Sequence, residues 1–192
     1  MPEDALREML AGNARYVAGE WSPQDHVPVG PEYTDTQTPI AAVLTCADSR
    51  IAPSLIFDVK SDALFTIRVA GNSVSDDTLG SIEFAVAVLD VPLVIVLGHQ
   101  NCGAVSAAVD VVAGRSSYPP GAIATLVSRV EPAVRALPEA QRTIDECVRA
   151  NAIDQANHLA AKEPIMAPAV AEGRVRVIAA YYEIETGAVT VL

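Results

Sequence analysis

Cationic side chains are scarce in this chain. Thirteen Lys+Arg stand against 24 Asp+Glu, a formal charge of -11 at pH 7, and a field of that sign repels phosphate backbones and anionic lipid. Nucleic acid and membrane surfaces are therefore not expected as partners. Long apolar runs are absent as well: the longest, Val91 to Leu97, is less than half of what a membrane span requires. The opening Met1-Pro2-Glu3-Asp4 is acidic where a secretory leader needs a basic start and then an apolar stretch, so a cytoplasmic location is expected. The turns after the apolar strands lack G-x-G-x-x-G and G-x-x-x-x-G-K, which argues against nucleotide binding. Cysteine is limited to Cys46, Cys102 and Cys147. Three thiols cannot all pair within one chain, and in a reducing compartment they serve as metal ligands, nucleophiles or small core residues.

What is present is an apolar, globular composition. With 192 residues, 51% of them hydrophobic, the chain has the size of one domain that buries about 70% of its unfolded surface. Residues 3–18 carry apolar side chains at helical spacing and stop at Gly19, and residues 19–39 lose all periodicity around Trp21 and several prolines. That stretch reads as an arm, and the helix before it as a contact for a partner subunit. From Pro39 onward, continuous apolar runs at 40–45, 63–69 and 91–98 have strand length, and helical patterns separate them over 53–59 and 78–89. Further helical patterns cover 104–113, 121–137 and 142–162, a shorter one precedes Gly173, and 174–184 with 188–192 form a hairpin at Glu185-Thr186-Gly187. Apolar strands joined by long connections imply an α/β fold, a mainly parallel sheet flanked by helices. An N-terminal helical arm (1–39) and a C-terminal β-hairpin complete a single domain whose α/β body spans 40–192.

In such sheets ligands gather at the carboxyl ends of the strands. Cys46 ends the first strand, His99 follows the third, and Cys102 comes three residues later. An imidazole and two thiolates suit tetrahedral zinc, with the fourth position left for water or substrate. The alternative is that each cysteine is simply a small core residue. Between Cys46 and Pro53, Asp48 and Arg50 stand two residues apart. They make either an ordinary surface ion pair or a bidentate clamp that decides whether Asp48 occupies that fourth position. Cys147 falls in a helix and reads as core, while His26 and His158 match no motif and read as surface.

The segment Cys46-Ala47-Asp48-Ser49-Arg50, followed by His99-Gln100-Asn101-Cys102-Gly103, resembles the paired motifs of the β-class carbonic anhydrases. The resemblance runs from Asn13-Ala14-Arg15-Tyr16 to the terminal hairpin. It implies one zinc per chain on Cys46, His99 and Cys102, a catalytic dyad of Asp48 and Arg50, and reversible hydration of carbon dioxide to bicarbonate by attack of zinc-bound hydroxide. It also implies that Gln37, Phe65 and the backbone at Gly71 bind substrate, and that Asp48 becomes the fourth zinc ligand in a closed form. Some relatives hold an inhibitory bicarbonate with a Trp, an Arg and a Tyr. Arg68 and Tyr182 match that set, whereas Val43 occupies the Trp position. A homodimer or dimer of dimers is implied. Activity on carbonyl sulfide or carbon disulfide stays open, because the same nucleophile attacks either.

Overall fold

The computed structural model describes residues 1–22 and 30–192. His26 lies outside the described residues. Five strands form one sheet in the order β2-β1-β3-β4-β5: β1 Ala41–Thr45, β2 Leu64–Arg68, β3 Leu93–His99, β4 Arg176–Tyr182 and β5 Val189–Val191. The first four run parallel, and β5 turns back antiparallel on β4. The helices are α1 Pro2–Ala18, α2 Pro53–Ile56, α3 Asp76–Ala87, α4 Gly103–Val112, α5 Ile123–Ala136, α6 Ile144–Ala160 and α7 Met166–Ala171. The α/β architecture read from the sequence is the one observed.

Burial explains why the central strands are apolar on both sides. Every residue of β1 and β3 is buried. Ala42, Leu44, Val94 and Val96 point into one cluster with Ile82 of α3, Leu159 of α6 and Met166 of α7. The alternate residues Ala41, Val43, Leu93, Ile95 and Leu97 point the other way, onto Met9 of α1 and Ile56 and Phe57 at α2. Each fully buried aliphatic side chain contributes about 1.5–3 kcal/mol relative to exposure. A third cluster, built on α4, α5 and α6, lies behind the carboxyl ends of β1 and β3 and contains Cys46, Cys102 and Cys147 together. Cys147 is therefore core, and His158 is exposed on α6.

The N-terminal helix α1 seats on its own chain. Its apolar period buries Ala5 and Met9, Asn13 continues the same face one turn on, and polar bonds from Asn13 and Arg15 make the attachment specific. Asn13 Nδ2 donates to the carbonyls of Ile56 (3.0 Å) and Gly187 (2.8 Å), and its Oδ1 accepts from the Val189 amide at 2.8 Å. Gly12 is required beside it, because a Cβ there would run into the Phe57 carbonyl. Arg15 Nε donates to Asp58 Oδ2 at 2.6 Å, and Ser22 adds its amide and hydroxyl to the same oxygen.

Burial alone would push the Asp58 carboxyl up, yet Arg15 and Ser22 overcome it and the net shift is downward. Because the folded pKa lies below the unfolded value of about 3.9, this pair stabilises the fold above that pH and loses its contribution as pH falls through the folded value. Arg15→Leu leaves the fully buried carboxylate facing Ser22 alone. It is expected to cost about 2–3 kcal/mol, less than a fully buried pair because Arg15 is 34% exposed. The acid unfolding midpoint should move to higher pH, as chemical denaturation across a pH series would show.

Candidate metal centre and active site

The chain leaves β1 toward β2 at one side of the sheet and leaves β3 toward β4 at the other. Connections that diverge from neighbouring strands open a crevice at their carboxyl ends. Cys46 directly follows β1, His99 is the last residue of β3, and Cys102 caps the amino end of α4. The fold thus brings Cys46 beside the local pair His99 and Cys102, the two cysteines being 56 residues apart in sequence, and all three side chains are buried. One donor atom from each lies within 4.8 Å of the others, and the two Sγ atoms are 3.9 Å apart.

The electrostatics define what this triangle accepts. His99 Nδ1 faces the carbonyl oxygen of Gln100 at 2.9 Å. A carbonyl only accepts, so Nδ1 carries the ring proton and Nε2 presents a bare lone pair. That Nε2 is buried with no hydrogen-bond partner among the described residues, a condition that costs about 1–3 kcal/mol unless something fills it. Without a metal the two thiols share one proton. Cys46 is held down to about 4, chiefly by the hydrogen bond to Cys102, with the Gly71 and Asp48 backbone adding to the effect. Cys102 is pushed up by that same bond and then by burial. A divalent cation takes the place of the shared proton and lets both sulfurs be thiolates, with the Ala104 and Val105 amides at the α4 terminus favouring charge on Cys102. Borderline-soft nitrogen and sulfur donors in this number fit zinc and leave one position open.

Asp48 borders that open position. Its Oδ2 is 3.9 Å from His99 Nε2, and Arg50 grips the carboxylate at both oxygens: Nε to Oδ1 at 3.0 Å and Nη2 to Oδ2 at 2.8 Å. The Arg50 amide adds a third bond at 3.0 Å. The Arg50 guanidinium therefore holds the Asp48 carboxyl well below the usual carboxylate range, and in this structure Asp48 is clamped.

The other residues singled out in the sequence fall in three places. Gly71 is buried, its backbone reaches Cys46, and its carbonyl accepts from Asn151 Nδ2 of α6 at 3.0 Å. Arg68, at the end of β2, donates from Nε to the Cys46 carbonyl (3.3 Å) and from Nη2 to the Asp48 carbonyl (2.6 Å). Tyr182, at the end of β4, meets Tyr16 hydroxyl to hydroxyl at 3.2 Å. Phe65 pairs with Ala42, four residues before Cys46, which places it roughly 13 Å back along the sheet. Gln37 is exposed and precedes β1 at the same amino end. Phe65 thus stands well back from its own chain's metal cluster. Sequence reasoning overlooked Asn151 and also Thr45, whose hydroxyl donates to the Leu97 carbonyl at 3.1 Å and ties β1 to β3 just below the site. A polar residue inside an otherwise apolar strand was the available signal for Thr45.

A parallel α/β sheet with an N,S,S metal triangle at the divergence of β1 and β3, one coordination position open, and a clamped carboxylate beside it defines a zinc enzyme. Comparison with known proteins gives the family. The profile for carbonic anhydrase matches residues 41–189. Carbonic anhydrase 2 of Mycobacterium tuberculosis is 34% identical over 97% of this chain and 90% of its own length. A carbonic anhydrase of Mycolicibacterium smegmatis is 40% identical over 69% of this chain and 65% of its own. Among solved structures, a tetrameric β-carbonic anhydrase of Sordaria macrospora superposes with a TM-score of 0.73 at 22% identity, covering 84% of each chain. The chain belongs to the β-class carbonic anhydrases, zinc-dependent lyases that hydrate carbon dioxide reversibly to bicarbonate and a proton.

Proposed function

We propose that Cys46, His99 and Cys102 hold the zinc, one ion per chain, and that Asp48 and Arg50 direct the hydration beside it. The observation that carries this reading is the bare, buried Nε2 of His99 standing 3.9 Å from a carboxylate oxygen fixed by Arg50. Zinc, when bound, supplies the charge that makes a water acidic enough to attack carbon dioxide near neutral pH. Asp48, kept ionised by Arg50, can only accept hydrogen bonds. It accepts a hydrogen bond from the proton that remains on the attacking oxygen and so turns a lone pair toward carbon. Were the Arg50 clamp released, the Asp48 carboxylate would be free to serve as a fourth ligand to the zinc, which would be the closed form.

Two thiolates offset the metal's charge more than neutral imidazoles do. The acidified water therefore has a higher pKa than the value near 7 of a three-histidine site, and hydration is expected to quicken from about pH 6.5 to about pH 9. Stopped-flow hydration on zinc-quantified protein checks this, and a flat profile would refute it.

Gln37 and Phe65 serve a site other than their own chain's. Phe65 sits 6.2 Å from the ring of Phe84 at the unpaired edge of the sheet. Phe84 and Val88, one turn apart, are 47% and 59% exposed. We infer that a second copy covers this face, forming a homodimer or a dimer of dimers, and that each copy supplies its Gln37 to donate to the substrate oxygen gaining charge and its Phe65 to line an apolar slot. Val88→Asp is expected to weaken association by roughly tenfold or more and to lower activity with it. Sedimentation at micromolar concentration reads the first effect, and a fully active monomer would overturn the assignment. Arg68 and Tyr182 are each already engaged, on the site loop and on Tyr16. Their proposed role is to brace these elements, with no lock by bicarbonate. A cytoplasmic location completes the reading, since a reducing pool keeps both thiols available as ligands.

A further inference from the structure

The hydrogen bonds behind His99 lead away from the site in one continuous line. The carbonyl that fixes the ring belongs to Gln100, and the residue carrying that carbonyl is held twice more. The Gln100 amide donates to the Tyr182 carbonyl at 2.9 Å, extending the β3–β4 ladder past its last pair, His99 with Tyr182. The Gln100 side-chain Oε1 accepts the Glu185 amide at 3.1 Å, in the turn between β4 and β5. Asn101 follows with φ +55, so the chain turns sharply just after the held residue.

The turn is itself rigid. The Gly187 amide donates to the Glu183 carbonyl at 2.8 Å, the Glu183 amide to the Ala188 carbonyl at 2.9 Å, and the Thr186 hydroxyl to Glu183 Oε2 at 2.6 Å. Asn13 of α1 clasps it from outside at Gly187 and Val189, and a Cβ on Gly187 would come within 2.7 Å of the Tyr16 ring. The Gln100 side chain links the 100–102 loop to this turn.

We propose that Gln100 is a positioning residue for the metal: its side chain anchors the 100–102 loop to the terminal hairpin, and so holds in place the backbone carbonyl that orients His99 and presents its Nε2. Groups that orient a ligating histidine change metal affinity by about 10–100-fold when removed. This inference rests on His99 being a zinc ligand, as read above.

The test compares zinc affinity of the wild-type protein with Gln100→Leu, which removes the acceptor, and Gln100→Glu, which keeps an oxygen there. Competition against a chromophoric chelator is the readout. The expected result is at least tenfold weaker zinc binding in Gln100→Leu, with Gln100→Glu within about threefold of wild type. Gln100→Leu binding as tightly as wild type, or Gln100→Glu binding as weakly as Gln100→Leu, would overturn the proposal. A wild-type protein that binds no zinc would instead sink the ligand assignment, so the two failures are distinguishable. Should Gln100→Leu not fold, amide exchange on the zinc-loaded wild-type protein still decides. The Glu185 amide is expected to exchange at least about 100-fold more slowly than an unstructured amide, and exchange at the unstructured rate would refute the link.

Discussion

Asp48→Asn is expected to lower kcat/KM for carbon dioxide hydration by roughly 10²–10³-fold while leaving zinc content near one per chain. The substitution is close to isosteric, so packing is preserved and the change falls on charge and hydrogen-bond polarity. An amide retains one acceptor oxygen but turns an NH2 group toward one side of the site. If that NH2 faces the open metal position, it donates to the attacking oxygen and competes for the lone pair that carbon needs. If the amide flips, its NH2 faces Arg50, which has only donors to offer. Either orientation breaks part of the arrangement in which Arg50 reaches both carboxylate oxygens at 3.0 and 2.8 Å. Because Arg50 holds Asp48 far below the usual range, the wild-type carboxylate stays ionised throughout the working pH, and its loss cannot be imitated by mild acid. Stopped-flow rates with metal analysis on the same sample decide the matter; wild-type activity in the Asp48→Asn variant would remove Asp48 from the mechanism.

Replacing a ligand acts one step earlier. Structural zinc binds with about 10–16 kcal/mol shared among four donors, so each carries about 3 kcal/mol and its removal weakens binding by roughly 10²–10³-fold. His99→Ala and Cys102→Ala are both expected to purify with well under one zinc per chain and with hydration near background. They differ in what they leave behind. His99→Ala opens a hole beside a thiol pair still 3.9 Å apart and still sharing a proton. Cys102→Ala removes the chief cause of the low Cys46 pKa, so Cys46 should lose much of its thiolate character. Alkylation of Cys46 at about pH 6 in the metal-free variants should be faster in His99→Ala than in Cys102→Ala, which a mass-spectrometric time course would show.

How much of this was legible in the sequence depends on the range of the interaction involved. Cys46, His99 and Cys102 could be read because apolar runs of strand length ended just before or at them, and parallel strands put such ends side by side. Asp48 and Arg50 could be paired because they are two residues apart. The terminal hairpin was marked by its turn residues, and β5 returns antiparallel as those residues imply. By contrast, the attachment of α1 was illegible. Asn13 meets Gly187 across 174 positions, and no local pattern distinguishes an asparagine that clasps a hairpin from one that faces water. Arg68 is similar: motif matching offers it as an anion ligand, and nothing local announces that its guanidinium reaches two backbone carbonyls 20 and 22 residues away. The role of Gln100 depends on the Glu185 amide, and a backbone donor leaves no mark in a sequence.

The clasp between Asn13 and the terminal hairpin also orders events during synthesis. The helix that carries Asn13 emerges from the ribosome early, yet two of its three side-chain bonds wait for residues 187 and 189. Closing so long a loop delays the contact beyond the local elements. A growing chain can complete β1, β3 and all three metal donors while the turn that steadies His99 is still unmade. On the role proposed for Gln100, tight metal binding follows only once the hairpin has joined the sheet, and a chain ending before residue 183 is expected to hold its ion more weakly.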